Sequence, residues 1–507
     1  MLFEYLAPID IVCCLSVSRA WRHAFRNPSI LLHVLKKCFP LAREVRKLHE
    51  DGAFEAGYYI AGEDMGTLFC RVACRYHHLT RGKPRSVQKF DLCEDFGEAT
   101  GEREFFPVPP WESHASQMIR VDCHYSEAFW AYEEGLLVFP SADDHQFVLI
   151  DLESGTDNVA VVPFSITGKV IRRVRLRQRV LVIEWAESSA FHWLNETDGV
   201  HRHFACAYDV ARNDDDETAW RVTFRNEWKI MFLGQPLSSR DRFYSCHTKS
   251  HYGFYVWQPN RSLYTADDDA PIESLTVMDI STPSMYRPSL DPMGRIKEQL
   301  CSDAECPRKG RDNGGPRVVS RFSFRELDFF LVRQRGLPRI QNFEITDDGL
   351  SIQVTESVLT MLPVHPLYDP NAWLAVVHNI TFPVSGIGPC WCRRTSEVFP
   401  PYRGNSSLRS SRPLTAASNG YDNGNEPWFT VISEAADRDA RVYFRLHFLR
   451  AHLPDLHVGL SIRTPSTCLL ARMPDFYPLV AKGKIRGNER FLVGENYMRQ
   501  VVVYRFD

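Results

Sequence analysis

Phe147-Val148-Leu149-Ile150-Asp151-Leu152 is the stretch on which the fold turns: four apolar residues closed by an aspartate and an aliphatic residue. The same figure returns as Phe204-Ala205-Cys206-Ala207-Tyr208-Asp209-Val210 and as Leu275-Thr276-Val277-Met278-Asp279-Ile280. The chain ends on the related Val501-Val502-Val503-Tyr504-Arg505-Phe506. A second apolar run precedes each of them, at 136–139, 180–185, 254–257 and 491–493. Two looser pairs, 329–332 with 343–345 and 428–432 with 442–448, extend the series. Short β-branched and aromatic runs separated by Gly, Asp, Asn and Pro read as strands, and this texture holds from about residue 127 to the end. One small sheet cannot bury both of its faces. Sheets stacked around an axis cover one another and leave only short, protected edges. Paired central strands about once per 50 to 70 residues therefore predict an irregular β-propeller-like domain of about six or seven blades. A β-sandwich pair or another irregular β fold is the alternative. No Trp-Asp dipeptide occurs among the 11 tryptophans, so a regular WD-repeat array is excluded.

The residues before this texture read differently. Residues 1–50 are predicted to be a small helical module, punctuated by Pro8, Pro28 and Pro40. The β-rich domain is assigned 51–507, although 51–125 has no clear period. Loop insertions are expected near 211–218, 301–317 and 402–426, where Asp, Asn, Ser and Gly crowd and apolar residues are few.

Composition limits the function. The 507 residues carry 60 basic and 63 acidic side chains, a net charge of −3, so nucleic acid or an anionic membrane is not bound through bulk charge. With 44% hydrophobic and 24% charged residues, general disorder is excluded. The 14 cysteines are scattered, and many sit in apolar runs such as that around Cys206. They read as reduced thiols, which suits the cytoplasm or nucleus. No apolar run approaches the length of a membrane span. The start carries Glu4, Pro8 and Asp10 and no leading basic residue, a poor signal peptide. The Asn-x-Ser/Thr triplets at Asn195, Asn260, Asn379 and Asn405 are read as chance.

Candidate chemistry is sparse. Cys70, Cys74, His77 and His78 are ligand types at local spacing, but a zinc site needs a second pair and the candidates Cys93 and Cys123 show no motif, so structural thiols are expected. Cys390-Trp391-Cys392 is too tight for a zinc knuckle. No nucleophile elbow, Walker loop, zincin motif or dinucleotide fingerprint occurs. No catalytic residue, metal or cofactor is assigned, and the chain is not expected to be an enzyme. The densest basic run is 172–179. Arg173, Arg175, Arg177 and Arg179 alternate with Val174, Leu176 and Gln178, as on a half-exposed strand. That row reads as a solvated face, with docking of an acidic or phosphorylated protein segment as its functional alternative. It lacks the interleaved aromatics expected of a nucleic-acid surface.

The most specific motif lies at the amino terminus. Tyr5-Leu6-Ala7-Pro8-Ile9-Asp10-Ile11 leads into Val17-Ser18-Arg19, then Ala20-Trp21-Arg22, and stops at Asn27-Pro28. Asp10 is expected to cap a helix whose predecessor Pro8 breaks. Trp21, Ala24 and Phe25 share one helix face. These residues, about 30 of 507, resemble an F-box that is truncated at its amino end: the family's opening Leu-Pro-x-Glu and first helical turn have no counterpart in Met1-Leu2-Phe3-Glu4. The resemblance implies a module that docks a Skp-type adaptor, and through it a cullin, in an SCF-type ubiquitin ligase. The domain downstream would then hold an as yet unknown protein substrate. It implies that Leu2, Leu6, Pro8, Ile11, Val12 and Leu15 form the adaptor-binding face, and that Asp10, Val17, Trp21 and Phe25 hold the module together. Two rival readings remain: a propeller scaffold whose degenerate F-box has left ubiquitination, and a propeller enzyme with dispersed catalytic residues.

Overall fold

The computed structural model describes residues 5–50, 64–93, 129–143, 145–154, 159–193, 196, 199–213, 219–230, 235–236, 242–258, 271–291, 315–335, 338–361, 373–385, 391–398, 428–450, 456–471, 484–496 and 498–507. Leu2 and most of the three expected insertions (214–218, 301–314, 402–426) lie outside them. The chain is mainly β: six four-stranded antiparallel sheets make a six-bladed β-propeller, with a few helices at the amino end. It divides into two compact units, Asp91–Trp428, and Met1–Phe90 with Phe429–Asp507.

The Asp91–Trp428 unit holds four blades in sequence order. The first is β2 (Ala131–Glu133), β3 (Leu136–Ser141), β4 (Gln146–Asp151) and β5 (Val159–Val161). The second is β6 (Lys169–Arg177), β7 (Val180–Glu187), β10 (His203–Arg212) and β11 (Trp220–Lys229). The third is β13 (Arg242–His247), β14 (His251–Gln258), β15 (Ile272–Asp279) and β16 (Arg317–Phe322). The fourth is β17 (Ile340–Ile345), β18 (Ser351–Met361), β19 (Trp373–Pro383) and β20 (Cys392–Val398). A small three-stranded sheet of β8 (His192–Trp193), β9 (Gly199–His201) and β12 (Gln235–Pro236) is attached to the second blade's connections.

Strand period two explains the packing. On β7, Leu181, Ile183 and Trp185 face the first blade, whereas Val180 and Val182 face the third. Phe147 and Leu149 of the quoted run pack into the layer between blades one and two with Phe204, Cys206 and Tyr208. The layer between three and four is built likewise from Leu275, Val277, Phe343, Ile345, Ile380 and Phe382. A strand buried on both faces reads as an almost continuous apolar run, which is why these blades were visible in sequence. Each large side chain so buried contributes about 1.5 to 3 kcal/mol.

In the other unit the fifth blade is β21 (Trp428–Asp437), β22 (Val442–Arg450), β23 (Leu456–Arg463) and β24 (Cys468–Ala471). The sixth is β25 (Arg486–Gly487), β26 (Phe491–Glu495) and β27 (Gln500–Arg505), completed by β1 (Ser86–Asp91) from the amino-terminal side. Residues 86–91 thus share a sheet with the strands of 486–505, and Arg85 N–H donates to the Arg505 carbonyl at 2.7 Å. Among the described residues five helices precede β1: α1 (Pro8–Val17), α2 (Arg19–Phe25), α3 (Pro28–Cys38), α4 (Arg43–Glu50) and α5 (Met65–Arg81). The last lies in the stretch whose period was unreadable. It buries Met65, Leu68, Phe69, Val72, Arg75, Tyr76 and Leu79, and ends on Gly82 at φ +61°, where a side chain would be strained. Arg75 is the unit's polar rivet. Its guanidinium reaches Glu44 Oε1 at 2.5 Å and Oε2 at 3.0 Å, and Glu489 Oε1 at 2.6 Å, while Tyr76 Oη donates to Glu489 Oε2 at 3.0 Å.

The blade count is six, within the six or seven expected. One expectation needs correction. Residues 329–332 are not a strand: a short helix, α6 (Phe324–Phe329), and a turn occupy this region, and β17 pairs with β18 instead. Ser323 and Glu326 explain the helix, since Glu326 Oε2 accepts from Ser323 N at 2.7 Å and from its hydroxyl at 2.8 Å. Satisfying these donors at the start of the segment favours a helix over a strand here.

Candidate functional site

Two surfaces carry the residues singled out in the sequence, one in each unit. The first is the module of α1–α3. Its helix starts at Pro8 rather than after Asp10. Pro8 takes the first helical position, where no N–H is needed, and Asp10 Oδ2 turns back to accept from Ala7 N at 3.1 Å. Ser18 separates α1 from α2 and caps the latter, its Oγ accepting from Trp21 N at 3.1 Å. Arg22 Nε donates to the Leu15 carbonyl at 3.0 Å, closing the carboxyl end of α1. Asn27 Oδ1 accepts from Ser29 N at 3.0 Å, and Pro28 opens α3. Ser18, Arg22, Asn27 and Pro28 of the motif thus each have a local structural task.

The surface of this module differs from the expected face. Ile11 is 0% exposed and Leu15 is 7%, so both belong to the interior, with Phe25. Residues 11 and 15 are one helical turn apart on the inward side. Leu6, Pro8 and Val12 are half-buried. Outward stand Tyr5, Val17 and Trp21, the last 46% exposed and stacked on Phe25 at 5.4 Å. Val17 and Trp21, assigned to holding the module together, are the ones on show.

The second surface lies at the turns of the Asp91–Trp428 unit. The basic row is split by a bulge on β6 between Ile171 and Arg173, which lets Arg172 and Arg173 both turn inward. Arg173 is 3% exposed: Nη1 donates to Ser245 Oγ at 2.7 Å, Nη2 to the Phe243 carbonyl at 3.3 Å, and Glu184 lies at 3.6 Å. The alternating row therefore lines the seam between blades two and three rather than a solvated face, because a neighbouring blade covers that side. Arg175 is half-buried in it. Burial pushes the Cys246 thiol beside it up to about 12 and the His247 imidazole down to about 3, so both are uncharged there.

The end of the row reaches the turn face. Gln178 and Arg179 form the two-residue β6–β7 turn with φ of +52° and +62°. Glu133 holds this turn from the first blade, accepting from Gln178 N at 2.5 Å and Arg179 N at 3.1 Å. Arg177 Nη2 donates to Asp347 Oδ1 of the fourth blade at 2.7 Å, and Gln178 Nε2 to the same oxygen at 3.2 Å. Lys249 N of the third blade donates to Gln178 Oε1 at 2.7 Å. These turns frame a recess of about 450 Å³ lined by Gln178, Arg225, Lys249, Ser250, Ser281 and Asp347. Arg177 and Arg179 come to this face; Arg173 does not. Gln178, Lys249 and Asp347 carried no signal in sequence, since their roles depend on turns brought together from three blades.

Among the described residues no group of three or more His, Cys, Asp or Glu is arranged to hold a metal ion. Cys70, Cys74, His77 and His78 all lie on α5, where His78 Nδ1 is 3.0 Å from the Lys83 carbonyl oxygen. No described helix is long and apolar enough to cross a membrane. No protein-family model matches this chain, and no curated protein matches it. A β-propeller suits a protein-binding scaffold, because loops cluster on the ends of a rigid frame.

Proposed function

We propose that the chain is a substrate receptor of an SCF-type ubiquitin ligase in the cytoplasm or nucleus, with α1–α3 docking a Skp-type adaptor and the propeller holding a target protein. The observation that carries this reading is the ordered run from Tyr5 to Pro28, folded as two short helices with a third opening at Pro28, and with Tyr5, Val17 and Trp21 outward. Exposed apolar residues on a small helical module suit helix-in-groove docking, driven by burial. The chain performs no chemistry in this reading; it raises the local concentration of the target near the ligase.

The test is capture of a purified Skp-type adaptor by the full chain and by a Leu6→Asp/Val17→Asp variant. Ile11 is avoided because it is buried and its substitution would disrupt the module. The wild type is expected to capture the adaptor, and the variant to lose about tenfold or more in affinity at an unchanged melting temperature. Equal capture by both proteins sinks the reading. Burial of Ile11 and Leu15 favours a second reading, a propeller scaffold whose helical module has too little free apolar surface for the adaptor. That reading expects no capture by the wild type.

A further inference from the structure

We propose that Phe324, Phe329, Leu331 and Trp391, in the Asp91–Trp428 unit, form a docking shelf for an acidic peptide segment bearing aromatic or aliphatic anchors. The inference deepens the receptor reading by naming what the propeller holds. It rests on that reading for its place in ubiquitination, though not for the binding itself.

Four large apolar side chains are on show here: Phe329 is 72% exposed, Phe324 51%, Leu331 44% and Trp391 43%. The backbone beneath them is fixed. Leu327 is fully buried, Phe330 is stacked on Phe382 at 4.7 Å, and the Ser323–Glu326 cap sets the start of α6. Trp391 lies 6.5 Å from Phe329, centroid to centroid, and its indole N–H donates to the Phe330 carbonyl at 3.4 Å. A rigid aromatic surface loses little entropy on binding.

Leu331 supplies an independent observation. It sits at φ +60°, just past the end of α6, where glycine is the usual residue. The conformation is held by Leu331 N to the Asp328 carbonyl at 3.0 Å and Val332 N to the Leu327 carbonyl at 2.9 Å. A branched side chain is thus kept in a strained conformation although nearly half of it faces solvent. Strain maintained without full burial points to a use for the side chain outside the fold.

Charge selects the occupant. Residues 315–335 carry Arg317, Arg321, Arg325, Arg333 and Arg335 against Glu326 and Asp328 only, and Arg393 and Arg394 follow Trp391. Asp328 is engaged by Arg333 at 2.9 Å and Arg335 at 2.7 Å, Arg333 also lies 3.9 Å from Glu273, and Glu326 is engaged by the cap, so Arg317, Arg321 and Arg325 make up what is left of this stretch. The surplus is positive. Arginine beside aromatic rings is the composition of protein-binding hot spots. Single-stranded RNA is the less favoured occupant: the guanidinium of Arg333 lies over the Phe324 ring at 5.3 Å, where a base would stack.

The test is selection of displayed random twelve-residue peptides on the purified full chain, followed by fluorescence anisotropy with a recovered synthetic peptide. A fluorescein-labelled uridine oligomer serves as the nucleic-acid probe. The recovered peptides are expected to be rich in Asp and Glu around Phe, Trp or Leu. Their affinity is expected to fall about tenfold in both Phe329→Ser/Trp391→Ser and Arg325→Glu, at unchanged melting temperature, and to weaken with salt. No enrichment, neutral or basic peptides, undiminished binding by either variant, or competition by the uridine oligomer each overturns the proposal. Leu6→Asp/Val17→Asp leaves the shelf intact and is expected to bind the peptide like wild type. Peptide binding without adaptor capture by the wild type therefore removes only the ligase reading, and capture without peptide binding removes only the shelf.

Discussion

Arg75 and Arg173 are both buried arginines, yet they hold their surroundings in different ways. Arg75, in the helix-bearing unit, faces two carboxylates, and its bonds join α5 to α4 and to the β25–β26 turn. Arg173, in the four-blade unit, has one carboxylate at 3.6 Å and otherwise bonds a hydroxyl and a carbonyl of the next blade. The difference follows from the apolar area each joint commands. Blades two and three press broad faces together through Val180, Val182, Ala205, Trp228, Tyr252 and Phe254, so Arg173 only fixes the register of an apolar seam. A helix offers one narrow stripe, and a charge cluster there specifies where it sits. The cluster is asymmetric. Arg75's hydrogen bonds and charge outweigh burial at Glu44 and hold it below the usual carboxylate range. Burial dominates at the more enclosed Glu489 and pushes it up.

The largest expected effect comes from Arg75→Met, which leaves Glu44 and Glu489 facing each other inside the protein. Breaking a buried pair from one side costs about 3 to 5 kcal/mol. Two carboxylates lose their shared cation here, although Glu489 keeps Tyr76 Oη at 3.0 Å and Arg43 N at 3.2 Å, and Glu44 keeps Arg71 at 3.7 Å. Denaturant unfolding of the variant should show a loss of about that size. A loss near zero would mean that the apolar stripe of α5 suffices and that the charges are incidental.

Glu356 is the third case, a buried carboxylate with a neutral partner. Gln334 Nε2 donates to it, but burial wins and pushes it from the usual 4.5 up to about 7. A raised folded-state value means that this group's contribution to stability is complete below about pH 4.5 and is lost as the pH rises through 7. Glu356→Gln keeps the acceptor and removes the charge. It should match wild type near pH 4.5 and exceed it by about 3 kcal/mol above pH 7. A pH-independent difference in thermal melting would break the assignment.

Arg173→Met should be the mildest. Glu184 keeps bonds from Ser245 Oγ at 2.5 Å and Tyr252 Oη at 3.0 Å, so the orphaned charge stays partly satisfied. The expected cost is about 1 to 3 kcal/mol by the same unfolding measurement. A cost equal to that of Arg75→Met would erase the distinction between the two joints.

The amino-acid sequence determined the blades wherever both faces of a strand are buried. The runs at 180–183 and 204–208 are continuous in apolar residues because a neighbouring sheet covers each side. It also determined the caps of the helical module, since Ser18, Asn27 and Pro28 act within three residues of their own positions. Tertiary structure decided what no local pattern encodes. Arg173, Arg175 and Arg177 alternate as a solvated face would, but the third blade covers that side and a bulge at Arg172 shifts the register. Ile11 and Trp21 are equally apolar in sequence; packing within the module put the first inside and left the second half-exposed. Periodicity records that a side is apolar or polar, while what lies against that side is set by segments far away in the chain.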